Sequence, residues 1–190
     1  IMDKILILAG GYSNEREISL ITAKSVIREL KKNKKYKLLL IEPDGSFVKK
    51  LRKFKPNLVL NLLHGRYGED GYIQSILESE KVRYSHSGVL SSSLAIDKEI
   101  SKKIFIKNNI LTPPYIKFSF KNNFKIKSTI KKINKKLKFP VVLKPINEGS
   151  SVGVYICNKK NFNSNLMKLV KFKDILIEKY IPGREIQAAI

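Results

Sequence analysis

Short hydrophobic runs alternate along the first half of the chain with segments whose apolar residues recur at helical spacing. The runs at residues 4–9, 36–41 and 57–63 predict strands, because short continuous apolar runs are typical of buried parallel strands. The spacing within residues 17–30 and the segment 71–80 predict helices. Strands and helices that alternate in this way indicate a parallel sheet with helices on its faces.

Shorter elements complete the predicted pattern. In the first half we expect a helix at 51–54, a strand at 82–85 and a helix at 91–95. In the second half we expect helices at 98–108, 126–137 and around 162–172, and strands at 115–119, 141–144, 154–157, 174–178 and 185–190.

A change in composition divides the chain near Asp97, since no acidic residue lies between Glu99 and Glu148. We therefore predict an α/β fold with an amino-terminal domain at 1–96, a small α+β domain at 97–181 and the start of a third domain at 182–190. The chain ends inside a predicted strand and begins with an Ile before Met2, so we expect a fragment of a longer reading frame.

A formal net charge of +22 suggests nucleic acid as a partner. The excess is nearly all lysine, scattered among isoleucine and asparagine, whereas specific readers of nucleic acids favour arginine. We interpret the lysines as solvated surface residues whose abundance reflects the codons of an AT-rich genome. We therefore expect no nucleic-acid partner. A basic nucleic-acid-binding protein is the alternative, and it would show sequence preference beyond a simple loss of affinity with salt.

Other classes of protein are excluded by simple features of the chain. No apolar run approaches the roughly 18 residues of a membrane helix, and the amino terminus does not resemble a signal peptide, so we expect no membrane. The single cysteine, Cys157, excludes an intramolecular disulfide and fits a reducing cytoplasm. We expect Cys157 to be a small strand-end residue rather than a nucleophile. The two histidines and the cysteine lack the spacing of metal ligands, so we expect no metal site within these residues.

Two loops that follow predicted strands carry candidate chemistry in the first half. Residues 64–71 read HGRYGEDG, and residues 10–19 read GGYSNEREIS. Glycines let the backbone turn sharply at the carboxyl edge of a parallel sheet, which is where α/β proteins place their sites. A surface turn does not need His, Glu and Asp at fixed offsets, so we expect a ligand at residues 64–71. Glu15 lies on the same edge as His64, where it could hold a substrate ammonium.

The second half holds candidates for phosphate and nucleotide binding. The loop at 148–153 is rich in Gly and Ser, so its backbone N–H groups could surround phosphate oxygens, and Lys144 ends the strand before it. Lys98, at the start of a helix, is a further candidate phosphate ligand. At the next strand end, Glu178 and Lys179 could hydrogen-bond an adenine edge and a ribose. No Gly-Lys-Ser/Thr follows the loop, so it is not a Walker A loop.

The motifs GGxSxEREIS, HGxxGEDG, DKxxSK, FPVVLKP, EGSSVG and LIEKYIPGRE occur in this order over essentially all 190 residues. This ordered set resembles the D-alanine–D-alanine ligase family, ATP-grasp enzymes of peptidoglycan synthesis. The resemblance implies a parallel-sheet pre-ATP-grasp domain followed by a small α+β ATP-grasp central domain, with the carboxyl-terminal ATP-grasp half absent. It also implies a cytoplasmic enzyme that is a homodimer when full length.

The resemblance also implies roles for single residues. Glu15 would hold the ammonium of the first D-alanine, and His64 would lie near its carboxylate. Ser150 would help to link its loop to Glu15, which makes Glu15 and Ser150 the candidate catalytic residues. The residues implied in ATP binding are Lys98, Lys144, Glu148, Gly149, Ser150, Ser151, Glu178, Lys179, Ile181 and Glu185.

The implied reaction phosphorylates the first D-alanine with ATP, and the amine of the second D-alanine then attacks the acyl phosphate. Mg²⁺ is the implied metal, and its ligands, like the arginine for the transition state, belong to the half that would follow Ile190. We therefore expect no ligase activity from residues 1–190 alone. Two alternatives stay open: an ATP-grasp ligase for another second substrate such as D-lactate, and a non-catalytic nucleotide-binding module.

Overall fold

The computed structural model describes residues 3–120, 126–149 and 151–186. The chain divides into two compact units, Ile1–Asp97 and Lys98–Ile190. The division therefore lies where the composition of the chain changes.

The first unit is built on a parallel sheet. Within residues 3–97 the elements are β1 (Asp3–Leu8), α1 (Arg16–Leu30), β2 (Tyr36–Ile41), α2 (Phe47–Phe54), β3 (Leu58–Asn61), α3 (Tyr72–Ser79) and α4 (Val89–Ile96). The strands pair in the order β2-β1-β3, and both pairings are parallel. The predicted α/β pattern with a parallel sheet is confirmed, although α2 and α4 begin earlier than predicted.

The central strand β1 is buried on both faces. Leu6 and Leu8 belong to a core with residues of α2 and α3, whereas Ile5, Ile7 and Ala9 belong to a second core against α1. Successive side chains of a strand point to opposite faces, so a strand covered on both sides is apolar at every position. This explains why the sequence shows a continuous apolar run here rather than an alternating one.

The strand predicted at 82–85 is reduced to one isolated parallel bridge between Val59 and Tyr84. Val59 donates to the carbonyl of Arg83 at 2.8 Å and accepts from the amide of Ser85 at 2.9 Å. The backbone then turns away at His86, whose φ is 84°. The apolar side chains of the segment, Val82 and Tyr84, pack against the core that contains Leu6 and Leu8.

The second unit is built on an antiparallel sheet. Its described residues form α5 (Lys98–Lys107), β4 (Tyr115–Ser119), α6 (Ile126–Lys136), β5 (Val141–Pro145), β6 (Tyr155–Cys157), α7 (Phe162–Met167) and β7 (Asp174–Lys179). The strands lie in the order β4-β7-β5-β6. One core joins this sheet to α6 and α7 and contains the fully buried side chains of Ile133, Phe162 and Leu166.

Two predicted elements of the second unit differ from the structure in part of their extent. The helix expected around 162–172 ends at Met167 and is followed by a 3₁₀ turn at Val170–Phe172, because i→i+3 hydrogen bonds tighten the chain and bring Leu169 into the core. The strand expected at 185–190 is absent at Glu185 and Ile186, and residues 187–190 lie outside the described residues.

None of the helices within residues 3–120, 126–149 and 151–186 combines the length and the hydropathy of a membrane span.

Candidate functional site

The loop after β1 is tied to the end of β3 by one buried hydroxyl. Ser19, which is fully buried in α1, accepts from the amide of Gly10 at 2.8 Å and donates to the carbonyl of Leu62 at 2.6 Å. Gly10 has a φ of 84°, and a Cβ on it would lie 2.3 Å from Glu42 Oε2. The glycine and the buried serine of this segment therefore bring the two candidate loops to one edge of the sheet.

The two acids of the HGRYGEDG segment close the loop on itself. Glu69 accepts from the amide of Gly65 at 2.9 Å, and its other oxygen lies 3.7 Å from His64 Nδ1. Asp70 accepts from the amides of Tyr67 and Tyr72 at 2.9 and 3.1 Å. The fixed offsets of these acids thus set the shape of the loop, a role that the sequence pattern alone did not indicate.

Gly68 is a closely packed glycine of this loop. Its carbonyl accepts from Asn61 Nδ2 at 2.8 Å and from Gln74 Nε2 at 2.9 Å, and both side chains are buried. A Cβ on Gly68 would lie 2.4 Å from the Cβ of Leu63. These contacts fix the loop to β3 and α3.

Glu15 and His64 are brought together through Gly65. Glu15 stands at the amino-terminal cap of α1, and its Oε2 lies 2.6 Å from where a Cβ on Gly65 would be. Only glycine therefore lets the carboxylate lie so close to the backbone next to His64. His64 Nε2 is buried and has no hydrogen-bond partner among the described residues. Glu15 thus lies against the residue that follows His64. A carboxylate and an imidazole nitrogen placed in this way can bind the ammonium and the carboxylate of an amino acid.

The nearby guanidinium of Arg16 is engaged elsewhere. It binds both oxygens of Glu42, at 3.0 and 2.7 Å, and this hydrogen bonding raises the pKa of Arg16. Arg16 therefore holds the loop after β2 rather than pairing with Glu15.

In the second unit, Lys98 is bound to the segment that leads into the Gly/Ser loop. Its ammonium donates to the carbonyl of Ile146 at 3.2 Å and to the carbonyl of Glu148. The backbone amide of Lys98 also donates to the carbonyl of Ile146, at 3.1 Å. The structure thus brings two predicted phosphate-site residues together, Lys98 and Glu148.

Two backbone hydrogen bonds join described residues of this loop. Val152 donates to the carbonyl of Gly149 at 2.9 Å, and Val154 donates to that of Ser151 at 3.2 Å. Ser151 has a φ of 60°, which is rare for a residue with a side chain. Ser150, the predicted catalytic residue of this loop, lies outside the described residues.

Lys144 and Glu178 form an ion pair across two neighbouring strands. In the antiparallel register of β5 and β7, Val142 lies opposite Glu178, so Lys144 is its diagonal neighbour on the same face. Its ammonium contacts Glu178 Oε2. Glu178 is only 4% exposed, so its carboxylate is buried and does not lie on a solvated end of β7.

Three other residues that we predicted to bind the nucleotide are not buried with this pair. Lys179 and Ile181 are exposed, and so is Glu185. The amide of Lys179 donates to the carbonyl of Pro114 at 2.9 Å, which fixes the end of β7 to the segment before β4.

One residue of this site was missed by sequence reasoning. Lys102, on α5, is 5% exposed, and its ammonium lies 3.0 Å from Glu178 Oε1. The motif DKxxSK includes Lys102, but a lysine among so many others gave no signal of burial. The only available hint was its position four residues after Lys98, on the same face of the helix.

Cys157 is a buried residue at the end of β6. Burial raises the pKa of its thiol, so the nucleophilic thiolate is disfavoured. In the described ranges 3–120, 126–149 and 151–186, no three His, Cys, Asp or Glu side chains come together as a metal site would require. We therefore assign no Mg²⁺ ligand to these residues.

Comparisons with known proteins agree on one family. The model for the D-ala D-ala ligase N-terminus matches residues 4–57, and that for the D-ala D-ala ligase C-terminus matches residues 104–190. The chain is 63% identical to the D-alanine–D-alanine ligase of Pelagibacter ubique over 98% of its own length and 60% of that relative.

Solved structures give the same result. The D-alanine–D-alanine ligase of Bacillus anthracis matches with a TM-score of 0.82 and 37% identity, over 95% of this chain and 58% of that one. A structure of the Bacillus anthracis ligase with ATP matches with a TM-score of 0.79 and 33% identity, over 95% and 60% of the two chains. The chain thus spans about 60% of the length of these relatives. Together, the two family models and these likenesses show that the chain belongs to the D-alanine–D-alanine ligase family.

Proposed function

We propose that the chain provides the first-substrate site and the nucleotide site of an ATP-dependent ligase that joins two D-alanine molecules into a peptidoglycan precursor. The observation that carries this proposal is the position of Glu15 against Gly65, next to His64. D-Alanine carries an ammonium and a carboxylate on one carbon. Glu15 attracts the ammonium, and His64 Nε2 faces the carboxylate as a donor.

The second unit supports the nucleotide half of the proposal. Lys98 and Lys144 neutralise the phosphates of ATP, and backbone amides of Glu148, Gly149, Ser150 and Ser151 surround them. Glu178 accepts from the adenine amino group, while Lys179, Ile181 and Glu185 hold the rest of the adenine and the ribose. The contacts of Lys98 with Glu148 and of Lys144 with Glu178 support this grouping.

The proposed reaction has two steps. The terminal phosphoryl group of ATP moves to a carboxylate oxygen of the first D-alanine, and ADP leaves. The amine of the second D-alanine then attacks the acyl carbon, the amide bond forms, and inorganic phosphate leaves with the oxygen that had received it. Electrostatic stabilisation of the developing charge dominates such steps, and the lysines supply part of it. The described residues hold no cluster of three or more metal-ligating side chains, so no Mg²⁺ ligand is assigned to them.

The family resemblance also leads us to propose a homodimer that works in the cytoplasm. The single buried thiol of Cys157 supports a location that does not depend on disulfides.

The test is a chimeric enzyme in which residues 1–190 replace the matching part of the Pelagibacter ubique relative. We expect it to form D-alanyl-D-alanine with release of phosphate. Glu15→Gln keeps the shape of the side chain and removes its charge, so kcat/KM for D-alanine falls by about 10- to 100-fold, the worth of one charged hydrogen bond. Glu17→Gln is the matched control, because Glu17 is exposed on the same helix.

Two results would contradict the proposal. One is a folded chimera that forms no dipeptide while the parent relative does. The other is a Glu15→Gln chimera as active as the Glu17→Gln control. Replacing the second D-alanine by D-lactate in the same assay measures the choice of second substrate.

A further inference from the structure

Lys102 is a buried lysine that makes two hydrogen bonds and one ion pair within the protein. Its ammonium donates to Thr112 Oγ1 at 2.6 Å and to the carbonyl of Pro113 at 2.9 Å, and it lies 3.0 Å from Glu178 Oε1. It also lies 5.3 Å from the ring centre of Tyr115, within the range of a cation–π contact. Lysines are almost never fully buried unless paired, so this arrangement holds Lys102 in one place.

Lys144 occupies the other oxygen of the same carboxylate, and its situation is different. Its side chain is 25% exposed, whereas those of Lys102 and Glu178 are 7% and 5% exposed. Two ammonium groups therefore share one carboxylate, and they repel each other. Of the two lysines, Lys144 is therefore the more accessible from solvent.

We propose that Lys102 is the resident counter-ion of Glu178, and that its presence allows Lys144 to leave Glu178 for an anionic ligand. The ligand class is a nucleotide phosphate, and to that extent the inference rests on the proposed function. With Lys102 in place, departure of Lys144 leaves a paired carboxylate. Without Lys102, the same movement leaves a buried, unpaired carboxylate, which is strongly unfavourable. Lys102 is thus a positioning residue that acts through Glu178.

The first experiment needs no nucleotide. The 190-residue chain is treated with limiting acetic anhydride, and acetylation of Lys144 is followed by mass spectrometry. In Lys102→Met, Lys144 becomes the sole counter-ion, so we expect it to react about threefold or more slowly than in the unaltered chain. Lys102→Arg keeps the charge and leaves the rate unchanged. Lys103→Met is the matched control, because Lys103 is exposed on the same helix and pairs with Glu99.

A merely structural role for Lys102 predicts the opposite result. Loss of its hydrogen bonds would loosen the sheet, and Lys144 would react faster. An equal or faster rate in Lys102→Met therefore overturns the proposal. Should circular dichroism show that Lys102→Met is unfolded, Lys102→Gln takes its place, since its amide can still donate to Thr112 and Pro113. Unfolding of both variants also overturns the proposal, in favour of a structural role.

The second experiment measures ATP binding to the same chains by equilibrium dialysis. We expect Lys102→Met to bind ATP about tenfold or more weakly than Lys103→Met. If acetylation of Lys144 is slowed in Lys102→Met but the two variants bind ATP equally well, the proposed release of Lys144 to the ligand is overturned. If acetylation of Lys144 is slowed in Lys102→Met but the unaltered chain does not bind ATP, Lys102 is still the counter-ion of Glu178. The nucleotide site assigned to this chain is then refuted. The two proposals therefore fail separately.

Discussion

The substitution Gly68→Ala tests whether packing fixes the HGRYGEDG loop. The new Cβ would lie 2.4 Å from the Cβ of Leu63 and 3.0 Å from its carbonyl carbon. Carbon atoms in contact lie about 3.5–4.0 Å apart, so the loop must move by about 1 Å. Leu63 is 4% exposed and packed in the core of the first unit, which leaves it little room to retreat.

The movement also strains the two hydrogen bonds to the carbonyl of Gly68. These bonds are 2.8 and 2.9 Å long and come from the buried side chains of Asn61 and Gln74. Overpacking costs about 1–3 kcal/mol, and a buried polar group that loses its partner costs about 1–3 kcal/mol more. We therefore expect the free energy of unfolding of the first unit to fall by about 3 kcal/mol.

The assay is urea denaturation followed by far-ultraviolet circular dichroism. At a slope of about 2 kcal/mol per molar urea, the midpoint for the first unit falls by about 1.5 M. Gly45→Ala is the matched control, because no atom lies within 4 Å of its added Cβ, and it should shift the midpoint by less than about 0.3 M. A Gly68→Ala midpoint as close to the unaltered chain as that of the control would refute the packing argument.

Two further predictions concern the second unit. Hydrogen bonds from Lys103 and then Lys117 hold the pKa of Glu99 below its ordinary value of 4.5, so the ionised carboxylate stabilises the fold above that pH and the stabilisation is lost as the pH falls through the folded pKa. Glu99→Gln should therefore lower the free energy of unfolding at neutral pH by about 0.5–1 kcal/mol, measured by urea denaturation. The difference in unfolding free energy between the variant and the unaltered chain should shrink as the pH falls, and a difference that does not change with pH would contradict this. Cys157 is buried with a raised pKa, so a chromogenic disulfide reagent should label it only as the second unit unfolds, and rapid labelling of the native chain would show that the thiol is accessible.

Much of the fold could be predicted because its main elements follow local patterns. The run that forms β1 is apolar throughout because both faces are covered. Helical spacing also predicted α1, where Leu20 and Ile27 pack against the core although Ile18 and Ile21 are exposed. The break after Met167 could not be predicted, because it depends on where Leu169 fits into a core made by distant residues. The single bridge at Tyr84 likewise depends on the turn that follows at His86.

The candidate site was predictable where residue type and loop position coincide. Glu15 and His64 follow strands at one sheet edge, and glycines beside them signal close approach of other groups. Lys102 was not predictable in this way. It contacts Thr112 and Pro113, which follow the end of its helix, and Glu178, which lies far from it in sequence. Lysine is also the commonest charged residue of the chain, so Lys102 does not stand out.

The lysines proposed to bind the nucleotide already have partners within the protein. In the structure Lys98 is bonded to the carbonyls of Ile146 and Glu148, and Lys144 is paired with Glu178. A phosphate group therefore exchanges with protein partners rather than adding to bare ammonium groups, so the gain on binding is the difference between two sets of contacts. The exposed lysines that make up most of the +22 charge attract any anion at long range, and salt screens that attraction. Selectivity for a nucleotide must instead come from the lysines that already have partners, because only a ligand that replaces those contacts in the right geometry can displace them.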